Sequence, residues 1–133
     1  MKGIEIEELS PYTDSRGWNS NPYDAAALAS GRLANIHLVS IRPGEVRGNH
    51  THRLQTEQVV IFGGPCLFAA ADPHTGKRFE RTFSESPLCR VSISPGIPHA
   101  FKCLGPEQSY LLCASDVAYN AQNPDSVRYD VIE

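Results

Sequence analysis

Apolar positions recur along this chain with period two, in short runs broken by turn residues. Gly3 to Leu9 sets Ile4 and Ile6 against Glu5 and Glu7, the alternation of a strand with one buried face. Lys77 to Phe83 alternates in the same way. Arg32 to Arg42 (RLANIHLVSIR) reads as a first long strand, stopped by Pro43-Gly44. Glu57 to Phe62, Cys66 to Ala71, Cys89 to Ser94, His99 to Leu104 and Ser109 to Ala114 read as further strands, rich in aliphatic and β-branched residues. Turns are marked at Gly63-Gly64-Pro65, Asp72 to Gly76, Pro95-Gly96 and Gly105-Pro106. Asp14-Ser15-Arg16-Gly17 and Asn21-Pro22-Tyr23-Asp24 are turns as well. Helix signals occur at Ala25 to Ser30, closed by Gly31, with a structured loop as the alternative. The polar tail from Asn120 to Glu133 is expected to cover a sheet edge. About eight short strands at regular spacing predict an all-β, double-sheet jelly roll with one short helix at most.

Composition narrows this without changing it. A chain of 133 residues is expected to form a single domain, 1–133, around one core. Its hydrophobic fraction of 41% and charged fraction of 20% are ordinary for a globular protein. A net charge of -3 gives no support for nucleic acid or a bulk membrane surface as partner. No apolar run approaches the roughly 20 residues of a membrane helix. The start, MKGIEIEELS, lacks the apolar centre of a signal peptide, so a cytoplasmic protein is expected. Cys66, Cys89, Cys103 and Cys113 match no zinc or redox spacing and sit in or beside apolar runs. They read as buried, reduced thiols.

The chemistry gathers in Gly44 to Gly64, GEVRGNHTHRLQTEQVVIFGG. His50 and His52 are two residues apart, so on a strand both imidazoles enter one cavity. Glu57 lies an odd number of residues from both and joins them only if the chain bends or bulges between Arg53 and Thr56. A lone strand histidine is usually structural or solvent-exposed. His74, in a hairpin loop, and His37, alternating with Leu33, Val39 and Ile41, are read that way.

The spacing Gly44-x5-His50-x-His52-x4-Glu57-x6-Gly64, followed by Pro95-Gly96-Ile97-Pro98-His99, resembles the two motifs of the cupin superfamily. The second motif departs from the usual form, carrying Cys103 where an Asn is typical. Within that superfamily, Arg47-Gly48-Asn49-His50-Thr51-His52 resembles the RGxHxH of nucleotide-sugar 3,4-ketoisomerases, which act on thymidine-diphosphate 4-keto-6-deoxyhexoses. Asp14-Ser15-Arg16-Gly17, and Ala114-Ser115-Asp116 with Tyr119 and Arg128-Tyr129-Asp130, are similar to the two ends of those enzymes. Pro95 to Phe101 is close to the PGxxHGF of rhamnose-pathway 3,5-epimerases.

The resemblance implies a cupin barrel (a double-stranded β-helix) that moves a carbonyl or inverts a carbon on a nucleotide-linked 4-keto-6-deoxy sugar. A proton beside the carbonyl is taken and then returned. An imidazole, with an ordinary pKa of roughly 6.5, suits both steps. His50 is implied as the base and His52 as the second acid/base, with Tyr119 a candidate proton donor. Arg16 and Arg47 are candidates for the diphosphate, because a guanidinium grips phosphate oxygens bidentately; a solvated surface role is the alternative. Trp18, Phe62 and Phe101, with His99, are the candidate walls of the sugar site. A homodimer is implied, with the apolar-faced strand Gly3 to Leu9 offering an edge for pairing.

Two other functions stand beside this one. His50, His52, Glu57 and His99 form a three-histidine, one-carboxylate set suited to Fe(II), Mn(II), Ni(II) or Zn(II), as in a metal-dependent isomerase or dioxygenase. The sugar reading without a metal is preferred, since metal binding leaves the Arg-Gly and Ala-Ser-Asp matches unexplained. A non-catalytic sugar-binding cupin would need no paired histidines.

Overall fold

The computed structural model describes residues 1–85 and 87–133. Twelve strands and one helix follow in the order β1 (Ile4–Glu8), β2 (Tyr12–Asp14), β3 (Gly17–Asn19), α1 (Ala25–Ala29), β4 (Asn35–Ile41), β5 (Val46–His52), β6 (Glu57–Gly63), β7 (Cys66–Ala71), β8 (Arg78–Phe83), β9 (Cys89–Ile93), β10 (His99–Cys103), β11 (Ser109–Ser115) and β12 (Ser126–Arg128). Two five-stranded antiparallel sheets, β1-β9-β6-β11-β4 and β12-β5-β10-β7-β8, pack face to face. This is the jelly roll that the period-two pattern predicts.

The sandwich forms because each strand turns alternate residues inward. Val59, Ile61, Val91, Ile93, Leu111 and Cys113 from one sheet meet Cys66, Phe68, Phe101 and Cys103 from the other, all at most 3% exposed. All four cysteines are buried and free, as expected. Helix α1 is a short surface element with no buried residue; the Asp24 carboxylate caps it by accepting from the Ala26 amide. Tyr23 beside it is buried, and its hydroxyl donates to the Leu112 carbonyl at 2.6 Å, tying this connection to the outer face of the first sheet.

Two elements go beyond the pattern. The Asp14–Gly17 turn is the tip of a separate two-stranded hairpin, β2-β3. The tail does cover an edge, through β12 pairing with β5. It then buries Val131 and Ile132 against Ala69, Ala71 and Ala100 on the outer face of the second sheet.

Candidate functional site

Strand β5 delivers the histidines, and a bulge sets their aim. His99 of β10 pairs with His50, but its neighbour Ala100 pairs with Gly48, so Asn49 is an extra residue on the β5 side. Gly48 has φ 93° and Asn49 φ 53°, the left-handed backbone that glycine and asparagine tolerate best. Asn49 is held there by its own side chain. Its Oδ1 accepts from the Val131 and Ile132 amides at 2.8 and 3.0 Å, and its Nδ2 donates to the Ile132 carbonyl at 2.8 Å. The tail thus locks the bulge. His50, His52 and His99 converge, with ring centroids 4.5 Å (His50–His52), 4.9 Å (His50–His99) and 5.6 Å (His52–His99) apart.

Glu57 completes the cluster. The residues between β5 and β6 turn as required, and buried Glu57 places Oε2 3.0 Å from His52 Nε2 and 3.4 Å from His99 Nε2. Each of the four residues offers a ligand atom within 4.8 Å of the others. His99 Nδ1 lies 2.9 Å from the Ile97 carbonyl oxygen, which only accepts, so this nitrogen carries the proton. In the neutral ring, Nε2 then turns its lone pair toward Glu57 Oε2. Both atoms are buried and lack a hydrogen bond of proper geometry. Two facing lone pairs are relieved by a proton or a cation between them, so the donor set fits a divalent ion.

Burial, then the neighbouring His99 and His52, pushes the His50 imidazole down to about 4, so it is unprotonated at neutral pH. Burial alone would raise the Glu57 carboxyl; an N–H from His52, and then from His99 in its doubly protonated form, overrides it and holds the group well below the usual carboxylate range. Glu57 in turn helps to push the buried Cys113 thiol up, after desolvation, which keeps that thiol protonated.

The cluster opens into a cavity of about 670 Å³ lined by His50, His52 and Glu57 together with Tyr119, Asn35 and His37. This volume suits a drug-sized ligand. Tyr119 is therefore brought to the site on the segment after β11, and is 74% exposed. His37 and Asn35 were not expected here. Their side chains meet at 3.3 Å (Asn35 Nδ2 to His37 Nδ1). The signal was present: both are in phase with Val39 and with Ile41, which belongs to the core.

Other expected walls lie elsewhere. Phe62 is on the opposite face of β6 from Glu57, five residues on, and stacks with Tyr110 at 5.5 Å. Phe101 is a core residue beneath the site, edge-on to His99 at 6.1 Å, and not a wall of the cavity. Arg47 faces the same side as His50 because of the bulge, but its Nε donates to the Ser40 carbonyl at 3.3 Å, outside the cavity lining. Arg16 and Trp18 border a different cavity, on the β2-β3 hairpin. Arg16 pairs there with Asp14 at 2.6 Å, and the Trp18 indole N–H is 3.5 Å from Glu85. The aromatic cup of Trp18, Phe62 and Phe101 is therefore not formed within one chain. His74 is exposed in its hairpin loop, as read.

Residues 13–127 match the family model of the polysaccharide biosynthesis C-terminal domain. The chain belongs to this family. No curated protein matches it in sequence. Among solved structures, this polysaccharide biosynthesis domain resembles a dTDP sugar isomerase from Desulfovibrio desulfuricans (TM-score 0.84, 16% identity, 98% of this chain and 85% of that one). It also resembles ChmJ, a 3'-monoepimerase from Streptomyces bikiniensis seen with dTDP-quinovose (TM-score 0.79, 16% identity, 95% and 69% covered). The third is CapF, a capsular polysaccharide assembling protein from Staphylococcus aureus (TM-score 0.71, 20% identity, 92% of this chain but 34% of that one). These likenesses bear out the cupin fold. No helix is long and apolar enough to cross a membrane among the described residues.

Proposed function

We propose that this domain is an isomerase or epimerase of a nucleotide-linked 4-keto-6-deoxy sugar. The observation that carries the reading is His50: an unprotonated imidazole facing a roomy cavity, with a second imidazole 4.5 Å away. A His50 ring nitrogen takes the proton from the carbon beside the carbonyl, and the C–H electron pair moves into an enediolate. His50 passes its proton to solvent; in a ketoisomerase the hydroxyl proton moves from the neighbouring oxygen to the old carbonyl oxygen as that carbon gains a proton, and in an epimerase the same carbon gains a proton on its other face. His52 or the Tyr119 hydroxyl delivers it. Of the charged neighbours of His50, Glu57 favours the imidazolium that forms. Two structural relatives, a dTDP sugar isomerase and a 3'-monoepimerase seen with dTDP-quinovose, support the same substrate class.

A second reading rests on the facing lone pairs of Glu57 and His99. His50, His52, Glu57 and His99 would hold a divalent cation, which supplies a Lewis acid for a keto oxygen. Deuterium uptake from D₂O into a thymidine-diphosphate 4-keto-6-deoxy sugar separates the readings. Uptake that survives a chelator is the expected result. Uptake abolished by chelator and restored by metal moves the chemistry to the ion, and none under either condition leaves a binding-only cupin.

The diphosphate belongs with the arginines, and Arg16 and Trp18 meet the cavity only if a second copy presents its β2-β3 hairpin to it. A homodimer is part of the proposal. It is supported by β1 and β4, the edge strands of the first sheet among the described residues, and by Ile36 and Leu38 on β4, 51% and 72% exposed. Light scattering should give about twice the 14.6 kDa chain mass. A monomer unchanged on concentration would remove Arg16 and Trp18 from the site.

A further inference from the structure

A strand running straight from His52 would turn Glu57 away from the histidines, because the interval is odd. Residues 53–56 must therefore hold a specific turn. Packing does not hold it: Leu54, its one large apolar side chain, is 70% exposed. Hydrogen bonds do, and all four amides of the turn are accounted for. Arg53 N donates to Asp125 Oδ1 at 3.2 Å and to the Asp125 carbonyl at 3.2 Å. Leu54 N donates to Asp125 Oδ1 and Oδ2 at 3.1 and 3.0 Å, and Gln55 N to Oδ2 at 2.9 Å. Thr56 N donates to Asp116 Oδ1 at 2.8 Å. Three consecutive amides on one carboxylate form an anion nest whose anion is part of the chain.

The geometry points to Asp125 and Asp116 as positioning residues that set Glu57 opposite His52 and His99. The inference rests on the reading of this cluster as the reacting centre. The two aspartates bracket the segment that carries Tyr119, so one stretch of chain both walls the cavity and fixes the turn beneath it.

In Asp125→Asn, one accepting oxygen becomes an amide NH2 donor facing backbone N–H groups. Long-range nitrogen–proton NMR of the histidine rings, without substrate and well below the melting midpoint, is the direct test. His52 and His99 resonances should shift while those of exposed His74 stay. Asp116→Ala should shift the same signals, and Asp116→Asn should restore them, since its amide oxygen still accepts from Thr56 N. Deuterium uptake by Asp125→Asn should fall through kcat by about 10²-fold, the scale of a small misplacement, with KM little changed. Wild-type His52 and His99 signals in a folded Asp125→Asn would overturn the inference. Should that variant not fold, Asp116→Ala, which removes a single acceptor, decides in the same way. Because the ring signals need no substrate, an inactive wild type would defeat the proposed function and leave this result standing.

Discussion

His50→Asn should lower deuterium uptake into the 4-keto sugar by about 10²–10⁴-fold, the loss typical of a positioned acid/base group. Asn retains hydrogen-bonding atoms in a similar volume but takes no proton at neutral pH. His50 is only partly buried and makes no side-chain hydrogen bond among the described residues, so the melting temperature should change little. The pH profile is the companion measurement. The base acts when unprotonated, and burial with its histidine neighbours places its protonation near 4. Uptake should therefore be level from neutral pH down through the ordinary histidine range and be lost only as pH falls toward about 4. A limb centred near 6.5, or uptake that persists in the variant, would take the base role from His50. His52→Asn should also be severe, and His74→Asn silent.

Gly48→Ala should be the most damaging single methyl at the site. A Cβ there would lie 2.9 Å from the His99 carbonyl oxygen and 3.1 Å from Ala100 Cα, and both are backbone atoms of the paired strand. The position also has φ +93°, where an L-residue is strained. Left-handed strain of about 1–2 kcal/mol and overpacking of about 1–3 kcal/mol give a destabilisation of about 2–5 kcal/mol, lowering Tm by on the order of 10 °C. The strands separate where His50 meets His99, so uptake should fall in the molecules that remain folded. Gly44→Ala is the control. It has φ +81° but open space around the new Cβ, so it reports strain without the clash. Equal melting temperatures for the two variants would show that the approach of β5 to β10 is not what Gly48 permits.

Much of the molecule can be read from its residues in order. Period-two alternation and Gly/Pro punctuation are local, and they place the core strands to within a few residues. The same locality puts His50 and His52 on one face. Where the reading fails, the deciding relation spans long stretches of chain. Phe62 reads as a wall of the cup because it is aromatic, yet its phase relative to Glu57 sends it outward. His37 reads as plain alternation along its own strand; only the pairing of β4 through β11 to β6 puts it on the interior face with the row that ends at Glu57.

The jelly roll, the paired histidines and the requirement for a bend before Glu57 are legible in the residues alone, because each depends on side-chain periodicity along one strand. How these parts meet is set by contacts between distant segments. The bulge at Asn49 is stabilised by residues 131 and 132, and the bend at 53–56 by Asp116 and Asp125. The protonation of His50 follows from burial beside two other rings. The bulge and the bend come from hydrogen bonds between segments some 60 to 80 residues apart, and no local pattern encodes them.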